Sequence, residues 1–334
     1  MSYTERKAIL QKVEAARGSK AMLFVTGDRP GMETQISPEI IDFFVDHLDA
    51  LWPAEKISLI LHTNGGNTAA AWRLVNLLRT FCEELEIIIP AKAMSAGTLM
   101  CLGADKIVMT KQATLGPIDP SLNGPLNPMI NGMPNQRVPV SVEAIQGYID
   151  VVREKLEITD PQPLANIWSN LSSQIHPLVL GQIFRSRQQI HDLATKLLKY
   201  QSTPAKDVKK IVSFLCSESG SHDHSINRRE AKELGLDIDK PSEEFYSVLR
   251  ELEKEYRDYL KLRDQFNPDT ELGTSNEVAY EIPRALIESV NFGSHEFVSR
   301  GRLKRVQLQG PVPAQQTGIE DARQFEGWQL KEKN

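Results

Sequence analysis

Ser95 lies in the run Ile-Ile-Ile-Pro-Ala-Lys-Ala-Met-Ser-Ala-Gly-Thr-Leu-Met-Cys-Leu-Gly-Ala-Asp, residues 87–105. An apolar strand over Ile87–Ile89 leads through a short turn into a helix of small residues that opens at or next to the serine. A hydroxyl there meets free backbone N–H groups and the positive end of the helix dipole. Acyl transfer needs both parts: a nucleophile, and donors that hold the oxyanion its attack creates. About thirty residues earlier the strand Ile57–Leu61 ends in Thr63-Asn64-Gly65-Gly66, a second turn with exposed N–H groups. A lone serine at a helix start is more often an N-cap, and a lone Gly-Gly pair more often a plain turn. Both together at strand ends suggest a serine hydrolase site.

The elements that must position these turns alternate strand and helix. Residues 5–17 read as a short amphipathic helix with Ile9, Leu10 and Val13 on one side. A strand over Ala21–Val25 follows. Ser37-Pro38-Glu39 then starts a helix, with Ser as N-cap and Ile40, Phe43, Phe44 and Leu48 on a face. Strand Ile57–Leu61, helix Ala69–Phe81, strand Glu86–Ile89, the Ser95 helix and strand Lys106–Met109 complete the series. Short links between alternating elements predict βαβ units, a largely parallel sheet and the α/β class. In such sheets functional residues gather beyond the carboxyl ends of the strands, where Gly65, Gly66 and Ser95 fall.

Residues 116–140, opening Gly116-Pro117-Ile118-Asp119-Pro120, are rich in Pro, Gly and Asn and read as a long loop, either a functional flap or disordered. Helical spacing returns at Val142, Ile145, Ile149, Val152 and Leu156, and Pro161 and Pro163 break it. A long helix is expected over Leu178–Leu198, and a short one over Asn227–Leu234 that Gly235 closes. Beyond about residue 240 the alternation stops. Glu243–Arg263 reads as a charged docking or oligomer helix. Arg284–Val290 and Glu296–Leu308 read as a hairpin, and the polar stretch 311–334 as disordered. This divides the chain into a domain over 1–240, an appendage over 241–310 and a tail.

The 334 residues carry a net charge of −5, which gives no electrostatic footprint for nucleic acid. The longest apolar runs are about five residues, far short of a membrane span. The N-terminus lacks a signal-peptide core, and Cys82, Cys101 and Cys216 have no CxxC spacing, so a reducing cytoplasmic setting is expected, with Cys101 a buried thiol. His222-Asp223-His224 has no third ligand nearby, so no metal is expected.

The Gly65-Gly66 turn, the Ala-Met-Ser-Ala-Gly turn, the Leu115-Gly116-Pro117-Ile118-Asp119-Pro120 loop, the His176-Pro177-Leu178 helix start and the ending Glu230-Ala231-x-x-Leu234-Gly235-Leu236 resemble the serine dehydrogenase proteinase family. That family looks like a branch of the Clp protease, signal peptide peptidase A and crotonase superfamily. The resemblance covers roughly residues 20–240. It implies a ClpP/crotonase-like fold of repeated ββα and βαβ units, with the C-terminal helix and hairpin outside it. It implies Ser95 as nucleophile, the Gly66 and Ala96 N–H groups as oxyanion hole, and Asp223 as the triad aspartate. Gly65, Gly116 and Asp119 fall where substrate would run. Clp protease places its histidine shortly after the nucleophile helix, where this chain has Pro117–Pro120 and no histidine. Relatives place a lysine further on, which leaves His176 as first choice of base, Lys155 second, and His222 or His224 third. For His176 a helix cap is an equal alternative.

A serine peptidase acting on peptide or protein through a Ser acyl-enzyme is therefore expected, with no cofactor. Such folds resemble ring or trimer builders, which implies a homo-oligomer. No ATPase phosphate loop is present in the sequence, so any unfolding engine is a separate partner. Two other readings stand beside it. A crotonase-type enzyme would use the same donors on an acyl-coenzyme A enolate, with a Glu or Asp over the substrate. A degenerate scaffold would bind a partner through its C-terminal part.

Overall fold

The computed structural model describes residues 2–118, 121–122, 124–130, 133–201, 205–218, 224–308 and 316–333. Its first half runs α1 (Tyr3–Arg17), β1 (Lys20–Thr26), α2 (Ile40–Leu51), β2 (Lys56–His62), α3 (Thr68–Phe81), β3 (Glu84–Ile89), β4 (Lys92–Ala93), α4 (Ala96–Leu102), β5 (Lys106–Met109) and β6 (Thr114–Leu115). Helices α5 (Val142–Asp150), α6 (Pro161–Gln174), α7 (Pro177–Leu197) and α8 (Ala205–Ser213) follow. The chain then forms β7 (Ile226–Asn227), α9 (Arg228–Leu234), β8 (Ile238–Asp239), α10 (Glu243–Tyr259) and α11 (Pro268–Leu272), and ends in β9 (Glu277–Ser289), β10 (Gly293–Leu308) and β11 (Gln316–Lys333).

One eight-stranded sheet carries the fold, in the order β8-β5-β3-β2-β1-β9-β10-β11. From β8 to β1 every pairing is parallel; β9, β10 and β11 add antiparallel to the free side of β1. The strands alternate with period two. Met22, Phe24, Leu59, Leu61, Ile87 and Ile89 pack on one face with α2, α3 and α4. Leu23, Val25, Ile60, Ile88 and Val108 pack on the other with α1 and α10. Burial on both faces is why these strands read as near-continuous apolar runs. The α/β class and the parallel core therefore stand as expected. A small second sheet, β7-β6-β4, sits beyond the carboxyl ends of the main strands, and a bridge from Thr63 to Ala93 ties it to β2.

Several boundaries differ from expectation. Ser37 does not cap α2, which starts at Ile40, because Ile36 is held in a bridge to Gly66. Pro161 does not break a helix but starts one, since proline tolerates the first turn, where no intrahelical N–H bond is lost. The 116–140 loop holds two short antiparallel pairings, Ser121–Leu122 with Val140–Ser141 and Met129–Ile130 with Met133–Arg137. The expected hairpin is present as β9 and β10, yet it is continuous with the main sheet through β1. The stretch read as a disordered tail is strand β11 over 316–333. Its anchor is Trp328, whose ring lies 5.6 Å from Phe43 and 5.8 Å from Phe297. Cys101 is fully buried, as expected, and burial pushes its thiol far up from the ordinary value. Among the described residues no helix is long and apolar enough to cross a membrane.

Candidate active site

Ser95 joins β4 to α4 with φ 50° and ψ −113°, a left-handed conformation that a residue with a Cβ rarely adopts. It occupies the N-cap position, but its side chain makes no cap hydrogen bond. Strain at a serine whose hydroxyl is withheld from capping is the pattern of an exposed nucleophile on a sharp strand-to-helix turn. The turn is locked from behind. Gly97 N–H donates to Met94 O at 2.8 Å, and a Cβ on Gly97 would meet Thr63 Cγ2 at 2.4 Å. Thr98 Oγ1 lies 2.8 Å from the carbonyls of both Ala93 and Gly116, which share its one proton, and accepts the Gly116 N–H at 3.1 Å, fastening the 115–117 loop to α4. Gly116 packs against the Met94 side chain, whose flexible end a Cβ there would displace.

The Gly65-Gly66 turn abuts this serine. Gly65 has φ 106°, and a Cβ on it would lie 2.8 Å from both Met94 O and Ser95 Cβ. Its N–H takes Thr63 Oγ1 at 2.9 Å, and its carbonyl accepts Ile36 N–H at 2.8 Å. Gly66 has φ 140° and bridges Ile36 in parallel fashion. That bridge uses the Gly65 carbonyl and the Asn67 N–H, so the Gly66 N–H points away from it. Ala96 N–H belongs to the first turn of α4, where no intrahelical acceptor exists. Of the two donors expected from sequence, Ala96 directly follows Ser95, whereas Gly66 lines a neighbouring cleft with Gln35, Ile36 and Asn67, and its partner in the turn, Gly65, is the one that abuts the serine.

A cleft of about 500 Å³ opens over the serine, lined by Asn64, Lys92, Met94, Ser95, Thr114, Pro117 and Ser225. Behind it lies a polar network that the sequence reading missed. Lys92 pairs with Asp28 Oδ2, and Asp28 Oδ1 meets His62 Nε2 at 3.3 Å. The other ring nitrogen of His62 meets the Tyr256 hydroxyl at 3.3 Å. Burial raises the Asp28 carboxyl, but the bonds from His62 and then Lys92 outweigh it and hold Asp28 well below the usual carboxylate range. Burial keeps Tyr256 protonated, far above the ordinary phenol. Tyr256, His62, Asp28 and Lys92 thus form one connected chain of polar contacts, in which the Lys92 ammonium donates to Asp28. Asp28 lies just past β1 and His62 ends β2, the strand ends where functional groups of a parallel sheet collect.

The remaining expected residues fall elsewhere. His176 is the N-cap of α7, and its Nδ1 accepts the Leu178 N–H at 3.2 Å. It is exposed and does not line the cleft, so the geometry displays the cap and does not bring this imidazole to Ser95. Lys155 is exposed at the end of the turn Val151–Lys155 and is likewise absent from the lining. Asp119, His222 and Asp223 lie outside the described residues. His224 is described: its Nε2 meets Glu230 Oε1 at 2.8 Å, and the next residue, Ser225, is part of the cleft wall. A second, apolar cleft of similar volume lies among α5, α6 and α7, between Ile149, Trp168 and Phe184. Its described lining has no serine, cysteine, histidine or carboxylate, so nucleophilic chemistry does not belong there. No cluster of metal-ligating side chains occurs among the described residues.

Two curated relatives come from Methanocaldococcus jannaschii. The uncharacterised protein MJ0137 is 34% identical over 207 residues, 61% of this chain and 60% of its own. The uncharacterised protein MJ1495 is 28% identical over 183 residues, 54% of this chain and 51% of its own. The chain thus spans between half and two thirds of the relatives it matches. Two solved structures of a 1510-N membrane-bound stomatin-specific protease also match, each at 17% identity. One, a serine-to-alanine mutant, covers 69% of this chain and 84% of its own with a TM-score of 0.40. The other, a lysine-to-alanine mutant with a substrate peptide, covers 66% and 76% with a TM-score of 0.38. Likeness of that degree carries no inference for this chain. The model of the ClpP-like SDH-type serine proteinases matches residues 49–144, which span β2, the Gly65-Gly66 turn and Ser95. Over that segment the chain is similar to the ClpP-like SDH-type serine proteinases.

Proposed function

We propose that the chain hydrolyses peptide bonds, with Ser95 attacking the carbonyl and forming an acyl-enzyme that water then releases. The observation that carries this reading is the strained Ser95, its hydroxyl unused as a cap, set against the Gly65-Gly66 turn. The Gly66 and Ala96 N–H groups hold the oxyanion; donors of this kind contribute about 10²–10³-fold each. His224 supplies the base. Supporting this are the place of Ser225 in the cleft wall and the grip of Glu230 on His224, a carboxylate that fixes a ring as triad aspartates do. The exposed Trp168 and Phe184 on α6 and α7 support a homo-oligomer. The acyl-coenzyme A reading has less support, because no Asp or Glu occurs among the described residues lining the cleft.

Intact-mass measurement after treatment with a fluorophosphonate tests the reading. One adduct per chain is expected in wild type and none in Ser95→Ala. An unlabelled wild-type protein, or equal labelling of both, overturns it.

A further inference from the structure

We infer that Lys92 anchors the substrate, its ammonium taking a peptide carboxylate, from an acidic side chain or a free C-terminus, in the cleft beside Ser95. The inference rests on the reading of that cleft as the substrate site. Among the described residues lining the cleft, Lys92 alone is ionisable; Asn64, Thr114 and Ser225 are neutral. Its side chain keeps 27% of its surface exposed, so the ammonium is reachable from the cleft. An ammonium has three N–H donors, and Asp28 accepts from one side only, which leaves donors for a ligand. A charge-assisted bond to a carboxylate is about twice as strong as a neutral one.

The same network argues against Lys92 as the base. A lysine base must be neutral, which calls for burial away from counter-ions. Lys92 instead meets a carboxylate that His62 holds in its ionised form. The pair is stiffly mounted, since His62 is 5% exposed and Tyr256 is fully buried in α10. A C-terminal helix therefore sets the position of a group in the cleft.

Binding is read by fluorescence anisotropy of dansylated tetrapeptides, which needs no reactive serine. If serine labelling fails, this readout is unaffected. Three peptides of one neutral sequence are used: a free acid, its amide, and an amide with one internal glutamate. Wild-type protein is expected to bind one or both acidic peptides at least tenfold tighter than the neutral amide, and the stronger of the two identifies the source of the carboxylate. Lys92→Met is expected to bring all three within twofold, and Lys92→Arg to retain the preference. Ratios within one variant cancel any general loss of folded protein. Equal affinities in wild type, or a preference that survives in Lys92→Met, would overturn the inference.

Discussion

The buried ion pair between Arg6 and Glu288 provides a sharp test of how α1 is fixed to the sheet. Both side chains have no exposure. Arg6 Nε donates to Glu288 Oε2 at 2.9 Å and its Nη2 to Oε1 at 2.7 Å. Ser294 adds a third bond at 2.8 Å, and the Tyr259 ring lies 4.4 Å from the guanidinium. Arg6→Met keeps most of the apolar stem and deletes the charge. Glu288 is then left as a buried side chain with one hydroxyl donor. Breaking a buried pair typically costs about 3–5 kcal/mol. With a urea m-value of about 3 kcal/mol/M, the unfolding midpoint should fall by roughly 1–1.5 M. Adding Glu288→Gln, which removes the stranded charge and keeps the Ser294 bond, should restore at least about half of the loss. A cost under about 1 kcal/mol for Arg6→Met, or a double variant weaker than the single one, would refute the reasoning.

Three further outcomes are expected. In Gly66→Ala the new Cβ meets Ile36 O at 2.4 Å at a φ of 140°, so the turn must move; Ser95 labelling by the fluorophosphonate should slow about 10²-fold while circular dichroism stays native, and a rate within threefold of wild type would count against the donor role. Burial, and then the nearness of His295, push His47 down from 6.5 to about 3, so below pH 6.5 the unfolded chain binds the extra proton and stability falls as pH drops towards 3. Melting temperatures from pH 7 to 4 should accordingly fall less steeply in His47→Gln than in wild type; identical slopes would remove His47 from the acid response. Truncation after Leu308 strips β11 and its Trp328 anchor from β10, so sedimentation should show association through the bared edge, and a monodisperse, equally stable product would contradict the packing.

The parallel core and the Ser95 turn were legible because their signals are local. Continuous apolar runs mark strands buried on both faces, and small residues after Ser95 mark close packing. The Asp28–His62–Tyr256 network was not legible, since its members come from three elements far apart in sequence and each alone reads as an ordinary polar or aromatic residue. Its one available sign was position, past the carboxyl ends of β1 and β2. The strand at 316–333 was hidden for another reason. An edge strand with one solvated face is mostly polar, and a few residues such as Ile319 and Trp328 are what pack part of it against the core. At His176 the sequence left cap and base equal, and the cap became visible only through the Nδ1 contact with Leu178.

The placement of β9 beside β1 has a consequence for how the chain is made. The strand that covers the free side of β1 is synthesised about 250 residues after β1 itself. At about 5–20 residues per second, roughly 12–50 seconds pass on the ribosome with that edge unpaired. The parallel partner β2 is available early, but an apolar strand with one open ladder invites pairing with neighbouring chains. Nascent chains crowded on a polysome would meet at this edge, and slow elongation between α5 and α11 would lengthen the exposure.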